Sequence, residues 1–388
     1  MNSSIEKTSG STFRRRFQRN RPTQWIQLGM LCLLGLLCQL EASTPQYAQN
    51  FELSQEEGYR LLTIRNSQPG SDYVQRYALV PRGRPHTETP ADATVILTPV
   101  RRVVAMETVY IGYLDALNQL DCIIAAGTPD YITQASVRQR IEQGEITRLQ
   151  VGQSLDIEKL LLLQPDLILT SISGDPAFDI PATIRRAKLP VLLTAGYLEA
   201  SPLARAEWIR CLAAFFEADE TADEVFSQVA NHYESLRAQT QHLAERPTVF
   251  CGAPYSGAWY VPAGNSYTAN AIKDAGGKYL WADKNRTGAI PLDTERVFLR
   301  AAEADYWINP SHYQSLEALF AADPRFTQFA AATDGRVFNN TRQVGTEGGN
   351  AIWERGVVYP NEVLADLIKV FHPEILPDWD FVYYEPLK

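Results

Sequence analysis

"SLDIEKLLLLQPDLILTS", residues 154–171, carries a pattern that returns as "PLDTERVFLRAAEADYWI" at residues 291–308. Both runs read Leu-Asp-x-Glu-basic, continue as an apolar helical stretch, and reach an acidic residue (Asp166, Asp305) that leads into a strand-like apolar run. A short helix followed at once by a continuous apolar strand belongs to a βαβ arrangement with a buried parallel sheet. Two copies this far apart put one such arrangement in each of two lobes.

The surroundings of each copy agree. From Ala93, "RRVVAMET", "DCIIAAG", "PDLILTS" and "VLLTAG" read as strands, alternating with "VYIGYLDALNQL", "LDIEKLLLLQ" and "PATIRRAKLP" as helices. Such alternation implies a mostly parallel sheet with helices on both faces. At Ser201 it stops. Ser201-Pro202 is an N-cap followed by Pro at the first helical position, and Trp208, Ile209, Leu212, Phe215 and Phe216 recur at helical spacing. A second helical run, Thr221 to roughly Leu243, holds Val225, Phe226, Val229, Tyr233 and Leu236 on one face with no Gly or Pro. At 1.5 Å per residue it would be roughly 35 Å long. After Pro247 the α/β pattern restarts with "TVFCGAPY", "NSYTANAIKDAGG", the second copy, "SLEALFAA", "GRVFNN" and a final helix "YPNEVLADLIKVF".

The expected fold class is α/β: two similar α/β lobes with mostly parallel sheets, joined by a long α-helix. The boundaries are 93–200 for the N-terminal lobe, 201–246 for the helical linker and 247–388 for the C-terminal lobe. Residues 49–92 form an N-terminal extension in which "YRLLTIRN" and "QRYALVPR" look like paired edge strands. A long connecting helix resists bending, so only a small closure of the lobes is expected.

The 388 residues are 45% hydrophobic and 21% charged, the composition of a folded globular protein. A net charge of −9 argues against a nucleic-acid partner, since no excess of cations is available for phosphates. The basic cluster "RRRFQRNR" (Arg14–Arg21) precedes the uncharged run Trp25–Leu40. A basic region before a short apolar run reads as an export signal, placed at 1–48, and implies a periplasmic protein. Arg14, Arg15 and Phe17 fit a twin-arginine signal while Phe13, Gln18 and Arg19 depart from it, so that route and the general one both fit. Cys38 closes the apolar run where a lipidated cysteine would stand, although Leu37 is bulkier than the residue expected before it; an uncleaved N-terminal anchor is the other alternative. Beyond the signal only Cys122, Cys211 and Cys251 remain, too few for a disulfide framework.

Four stretches in this order carry a family resemblance: "RRVVAMETVYIGYLDALNQLDCIIAAG", "SLDIEKLLLLQPDLILTS", "GNSYTANAIKDAGGKYLW" and "PLDTERVFLRAAEADYWI". With the closing "GGNAIWERGVVYPNEVLADLIKVFHPEILP", the chain over residues 93–378 resembles the substrate-binding proteins of ABC importers for ferric siderophores, haem and cobalamin, the class with a helical backbone between lobes. The resemblance implies a monomeric receptor that captures an iron complex, a ferric siderophore, between its lobes and hands it to an ABC permease and, through it, the ATPase. Cobalamin or haem is the alternative ligand. It also implies that Glu158 and Glu295, the matching glutamates of the repeated pattern, pair with permease arginines.

In open α/β sheets ligands sit beyond the carboxyl ends of the strands. That rule selects the loops Glu107–Tyr110, Thr128–Tyr131, Ser171–Asp175, Pro254–Tyr260, Asn309–Tyr313 and Thr341–Trp353. The ligand-binding candidates are Tyr110, Tyr131, Tyr255, Trp259, Tyr260, Tyr313, Arg342 and Trp353. Aromatic rings offer large rigid contact area to a bulky ligand, and the Arg342 guanidinium suits carboxylate or catecholate oxygen. Gly and Pro in "SGAWYVPAGNSY" argue for a loop there. Trp281 reads as a packing residue and Glu107 as a helix N-terminal cap. His86, His232, His242, His312 and His372 lack metal-ligand spacing, and His312, in a cleft loop, reads as a surface histidine. No HExxH, CxxC, GxSxG or phosphate-loop pattern occurs, so no catalytic residue, cofactor or resident metal is expected. An extracytoplasmic enzyme using the cleft is the rival reading.

Overall fold

The computed structural model describes residues 45–65, 73–84, 88–173, 179, 184 and 189–388. Residues 1–44 of the expected export signal, most of the helix expected at 181–190 and part of the loop after Ser171 lie outside the described residues, whereas residues 45–48, assigned to the signal, are held in the fold.

The first sheet belongs to the extension. Strands β1 (Phe51–Glu56), β2 (Tyr59–Ile64), β3 (Gln75–Pro81) and β4 (Ala93–Thr98) lie in sequential order, the first three antiparallel and β4 parallel to β3. The residues from Ala93, expected to open the N-terminal lobe, therefore close the extension's sheet instead. Tyr77 fixes this sheet to the lobe by donating its hydroxyl to the Val191 carbonyl at 2.9 Å. Ahead of β1, two buried carboxylates hold the chain: Glu207 accepts the backbone N–H groups of Gln46, Tyr47 and Ala48, and Glu199 those of Gln49 and Asn50.

The N-terminal lobe is a five-stranded parallel sheet of β5 (Val103–Ala105), β6 (Ile123–Ala126), β7 (Thr147–Arg148), β8 (Leu167–Ser171) and β9 (Val191–Thr194), in the order β7-β6-β5-β8-β9. The C-terminal lobe repeats the last four positions of that order. Strands β10 (Thr248–Cys251), β13 (Lys278–Tyr279), β15 (Tyr306–Ile308) and β16 (Val337–Asn339) run parallel in the order β13-β10-β15-β16, and β17 (Glu385–Pro386) adds an antiparallel edge. The two lobes match as the doubled sequence pattern requires.

At the repeat, residue roles coincide. Asp156 and Asp293 are the N-caps of helices α1 (Ile157–Leu162) and α2 (Thr294–Ala301), Asp156 accepting the Lys159 N–H and Asp293 those of Glu295 and Arg296. Leu160 and Val297 are buried. Asp166 accepts the N–H groups of Arg101 and Arg102 just before β5, and Asp305 that of Thr248 at the start of β10. Each acidic residue thus pins the neighbouring strand.

Ser201 caps the helix Pro202–Ala206, accepting the Ala204 N–H. The long linker helix spans Asp219–Thr240, with Phe226, Val229, Tyr233 and Leu236 buried. One continuous apolar core runs through the extension, the linker and both lobes, and a smaller cluster covers the other face of the first lobe's sheet. Among the described residues no helix is long and apolar enough to cross a membrane. Cys122, Cys211 and Cys251 are all buried and free.

One segment departs from expectation. "SGAWYVPAGNSY" contains strand structure: β11 (Pro254–Tyr255) and β12 (Ala258–Pro262) form a hairpin, and β12 lies centrally between β11 and β14 (Ala289–Leu292). The turn is the pair Ser256-Gly257, both at positive φ (48° and 84°), the two-residue hairpin geometry that glycine favours. The glycine that argued for a loop instead closes a hairpin.

Candidate ligand cleft between the lobes

Loops at the strand ends enclose a cavity of about 600 Å³ between the lobes. Glu107, Thr108, Thr128 and Tyr131 line it from the first lobe, after β5 and β6; Asn309, Ser311, His312 and Asn350 are among its lining from the second. It continues into a side chamber of about 300 Å³ under the first lobe, walled by Glu107, Tyr110, Thr194, Tyr197 and Arg205. Trp353 lines both spaces with 43% of its surface exposed, a large apolar face left open at their junction.

Of the sequence candidates, the structure brings Tyr110, Tyr131 and Trp353 to this cleft. Tyr131 is 54% exposed on the rim, whereas Tyr110 is buried in the chamber wall with its hydroxyl 2.8 Å from Thr194 Oγ1. Tyr313 is half-buried outside the lining and stacks on His312, ring centroids 4.6 Å apart. His312, read as a surface histidine, faces the cavity.

Trp259 is a correction. It is fully buried, donates its indole N–H to the Cys251 carbonyl at 2.9 Å, and packs among Phe250, Phe298, Trp307, Phe326 and Phe329. Alternation along β12 sends it into the core and leaves Tyr260 outside. Tyr255 and Tyr260 are exposed on the hairpin, away from the cavity lining, and Arg342 is exposed outside it too. Trp281 is buried, as its packing role requires.

Glu107 is a second correction. Thr108, not Glu107, occupies the N-cap position of the helix Val109–Ala116. Glu107 Oε1 instead accepts from the Thr170 hydroxyl at 2.8 Å and the Ser171 N–H at 3.2 Å. Burial pushes its carboxyl up to about 7, against the downward pull of those two hydrogen bonds. Arg205, half-buried in the chamber wall, lies over the Tyr267 ring at 4.5 Å. Sequence reasoning passed over Arg205 because its helical spacing signalled the linker alone.

The lobes also touch directly. Glu354 accepts the N–H groups of Thr133 (2.9 Å) and Gln134 (2.8 Å) across the interface. A Cβ on Gly112 would stand 2.2 Å from the Glu354 carbonyl oxygen, and one on Gly349 2.3 Å from that of Tyr131. These glycines let backbone meet backbone at the inner end of the cleft.

Two α/β lobes on a helical linker, with strand-end loops facing one another over a cavity, are the architecture of a two-lobed binding protein. The chain belongs to the periplasmic binding protein family, whose model matches residues 103–343. It is 27% identical over 292 residues to an uncharacterized lipoprotein of Methanocaldococcus jannaschii, covering 72% of this chain and 67% of that one. A periplasmic heme binding protein from Pseudomonas aeruginosa superposes with TM-score 0.53 at 18% identity, over 74% of this chain and 95% of that chain. An ABC-type Fe3+-hydroxamate transport system structure from Saccharomonospora viridis gives TM-score 0.50 at 16% identity, over 68% and 93%. At these identities the structures share the fold. The extension up to Thr98 precedes the family match.

Proposed function

We propose that the chain is the extracytoplasmic substrate-binding protein of an ABC importer and that it carries an iron complex, a ferric siderophore, in the interlobe cleft. The observation that carries this reading is Trp353, an open indole at the junction of two connected spaces, sized with them for a bulky planar or organic-shelled ligand. The hydroxamate and heme proteins of the same fold support the ligand class. Tyr131 and His312, on facing lobes of the cavity, favour haem as the second reading, since phenolate and imidazole both ligate haem iron. Tryptophan fluorescence titrated with ferric siderophores, haemin and cyanocobalamin tests both. Stoichiometric quenching by an iron complex supports the receptor, and turnover of the ligand would instead reveal an enzyme.

Permease docking is read from the doubled pattern. Glu158 and Glu295 both stand exposed in the first turns of α1 and α2, whose caps are already supplied by aspartates. One turn further on, Leu162 and Leu299 are each 84% exposed. Each lobe thus offers an acidic residue and a bare leucine four positions apart. Two equivalent patches suit a permease of two similar subunits. Glu295 is held by Arg325 at 2.7 Å in the free protein, and docking would exchange that partner for a permease cation. The receptor acts as an exported monomer, membrane-associated through the permease or an N-terminal anchor.

A further inference from the structure

Arg205 is a half-buried cation to which the protein supplies no anion. Among the described residues it is the one Arg or Lys that lines either the side chamber or the larger cavity. Its guanidinium is a planar fork of N–H donors. Among the described residues that fork has no hydrogen-bond acceptor and no carboxylate within ion-pair distance; its one close partner is the Tyr267 ring at 4.5 Å. Arg210, further along the linker, shows the paired alternative. It too lies over a ring, Phe226 at 4.7 Å, but it binds Glu207 at 2.9 Å and Asp223 at 2.7 Å.

The residue is held in place on both sides. Its helix, Pro202–Ala206, buries Leu203, Ala204 and Ala206, and its carbonyl accepts the Tyr113 hydroxyl at 2.6 Å. Tyr267, from the other lobe, supports the guanidinium from one face, which leaves the N–H edge for an oxygen ligand. The other polar groups of the chamber are engaged elsewhere. The hydroxyls of Tyr110, Tyr113 and Tyr197 meet Thr194 Oγ1, the Arg205 carbonyl and the Ile172 carbonyl. Glu107, the chamber's one carboxyl group, is pushed up to about 7 by burial, and the groups acting on it are Thr170, Ser171, Tyr110 and Asp179. It does not neutralise Arg205.

We propose that Arg205 is the anion-binding residue of the cleft, and that the receptor takes iron complexes bearing anionic oxygen, catecholate or carboxylate, in preference to neutral ones. This rests on the cleft being an iron-complex site. The chemistry the residue reads is a pair of anionic oxygens facing the guanidinium fork, the strongest kind of hydrogen-bonded partner an arginine takes. A tricatecholate shell offers such oxygens around the metal, and haem offers them on its propionates. Trp353 lines the same chamber, so a ring of the ligand against the indole and an anionic edge toward Arg205 occupy one space.

The test compares two anionic complexes with neutral counterparts in tryptophan-quenching titrations: ferric enterobactin, a tricatecholate, against ferrichrome, a neutral trihydroxamate, and haemin against haemin dimethyl ester. The wild-type protein binds the anionic member of one pair at least about tenfold tighter than the neutral one; the first pair giving this result identifies catecholate, the second carboxylate. Arg205→Gln lowers affinity for that anionic complex at least about tenfold more than for its neutral counterpart, and Arg205→Lys, which keeps the charge and loses the fork, falls between. Salt gives a readout that needs no variant. With a net charge of −9, screening of the whole protein would raise its affinity for an anion, so a fall in affinity with added salt marks a cation at the site. Neutral complexes bound as tightly as the anionic ones, or an equal loss for both members of a pair in Arg205→Gln, overturn the proposal and leave the receptor reading standing. Quenching by no iron complex at all overturns the receptor reading, and this inference with it.

Discussion

Glu354 of the C-terminal lobe and Gln134 of the N-terminal lobe are joined by a 2.8 Å hydrogen bond, from the Gln134 backbone N–H to the Glu354 carboxylate. Gln134 caps the helix Ala135–Glu142, so the carboxylate meets a helix N-terminus belonging to the opposite lobe. Separating the lobes would strip this buried acid of both its backbone donors. Glu354→Ala should therefore destabilise the protein by about 1–3 kcal/mol in urea melts, through two partly buried N–H groups left unpaired. X-ray scattering of the wild type with and without haemin should nearly superimpose. A large fall in radius of gyration on loading would show that the latch is open in the free protein.

Trp353 and Trp259 should separate binding from folding. Trp353→Ala is expected to weaken ligand binding by about 1–3 kcal/mol with little change in Tm, because its ring is largely open to the cleft. Trp259→Ala should instead cost about 3–5 kcal/mol of stability, by emptying the centre of an aromatic core. Thermal melts beside fluorescence titrations check the pair. A Trp259→Ala protein of wild-type stability would return that residue to the surface.

The parts legible in the sequence were those with a period or a local rule. The Leu-Asp-x-Glu pattern gave α1 and α2, their caps and their equivalence, and the strand-end rule found the loops with Tyr131 and Trp353. What escaped was set by partners far along the chain. Trp259 looked like a loop aromatic because a two-residue turn and an alternating strand resemble a Gly-rich loop when β14 is not in view. Glu107 stood beside a helix start and was read as its cap, whereas its partners are at the end of β8. Glu354 offered no local signal, since both its partners belong to the other lobe.

Docking can be tested without touching the cleft. Glu158→Ala combined with Glu295→Ala should abolish uptake by cells carrying the importer while leaving ligand affinity and Tm nearly unchanged. Leu162→Ser with Leu299→Ser should do the same, since both leucines are bare in the free protein and contribute little to its stability. Normal uptake by both double variants would remove these patches from the permease interface.

Glu107 makes stability depend on pH in a direction opposite to most carboxylates. Its folded-state pKa, about 7, lies above the unfolded value of 4.5, so the folded protein holds the proton more tightly. Stability of the ligand-free protein should be fully present below about pH 4.5 as far as this group is concerned, and decline as pH rises through 7. The whole shift corresponds to roughly 3 kcal/mol. Glu107→Gln should flatten that part of the profile in urea melts at fixed ionic strength; an unchanged slope would assign it to other groups.

The carboxylates that grip Gln46–Asn50 have a consequence for how the chain comes together. Residues 46–50 are made well before the groups that receive their N–H donors, Glu199 and Glu207, about 150 residues downstream. Contacts of such long sequence separation are slow to form. Until the linker has emerged, β1 and the segment before it have a neighbouring strand but no anchor. This early segment is therefore the last part of its half to be fastened, and any chain cut short of Glu199 keeps it loose.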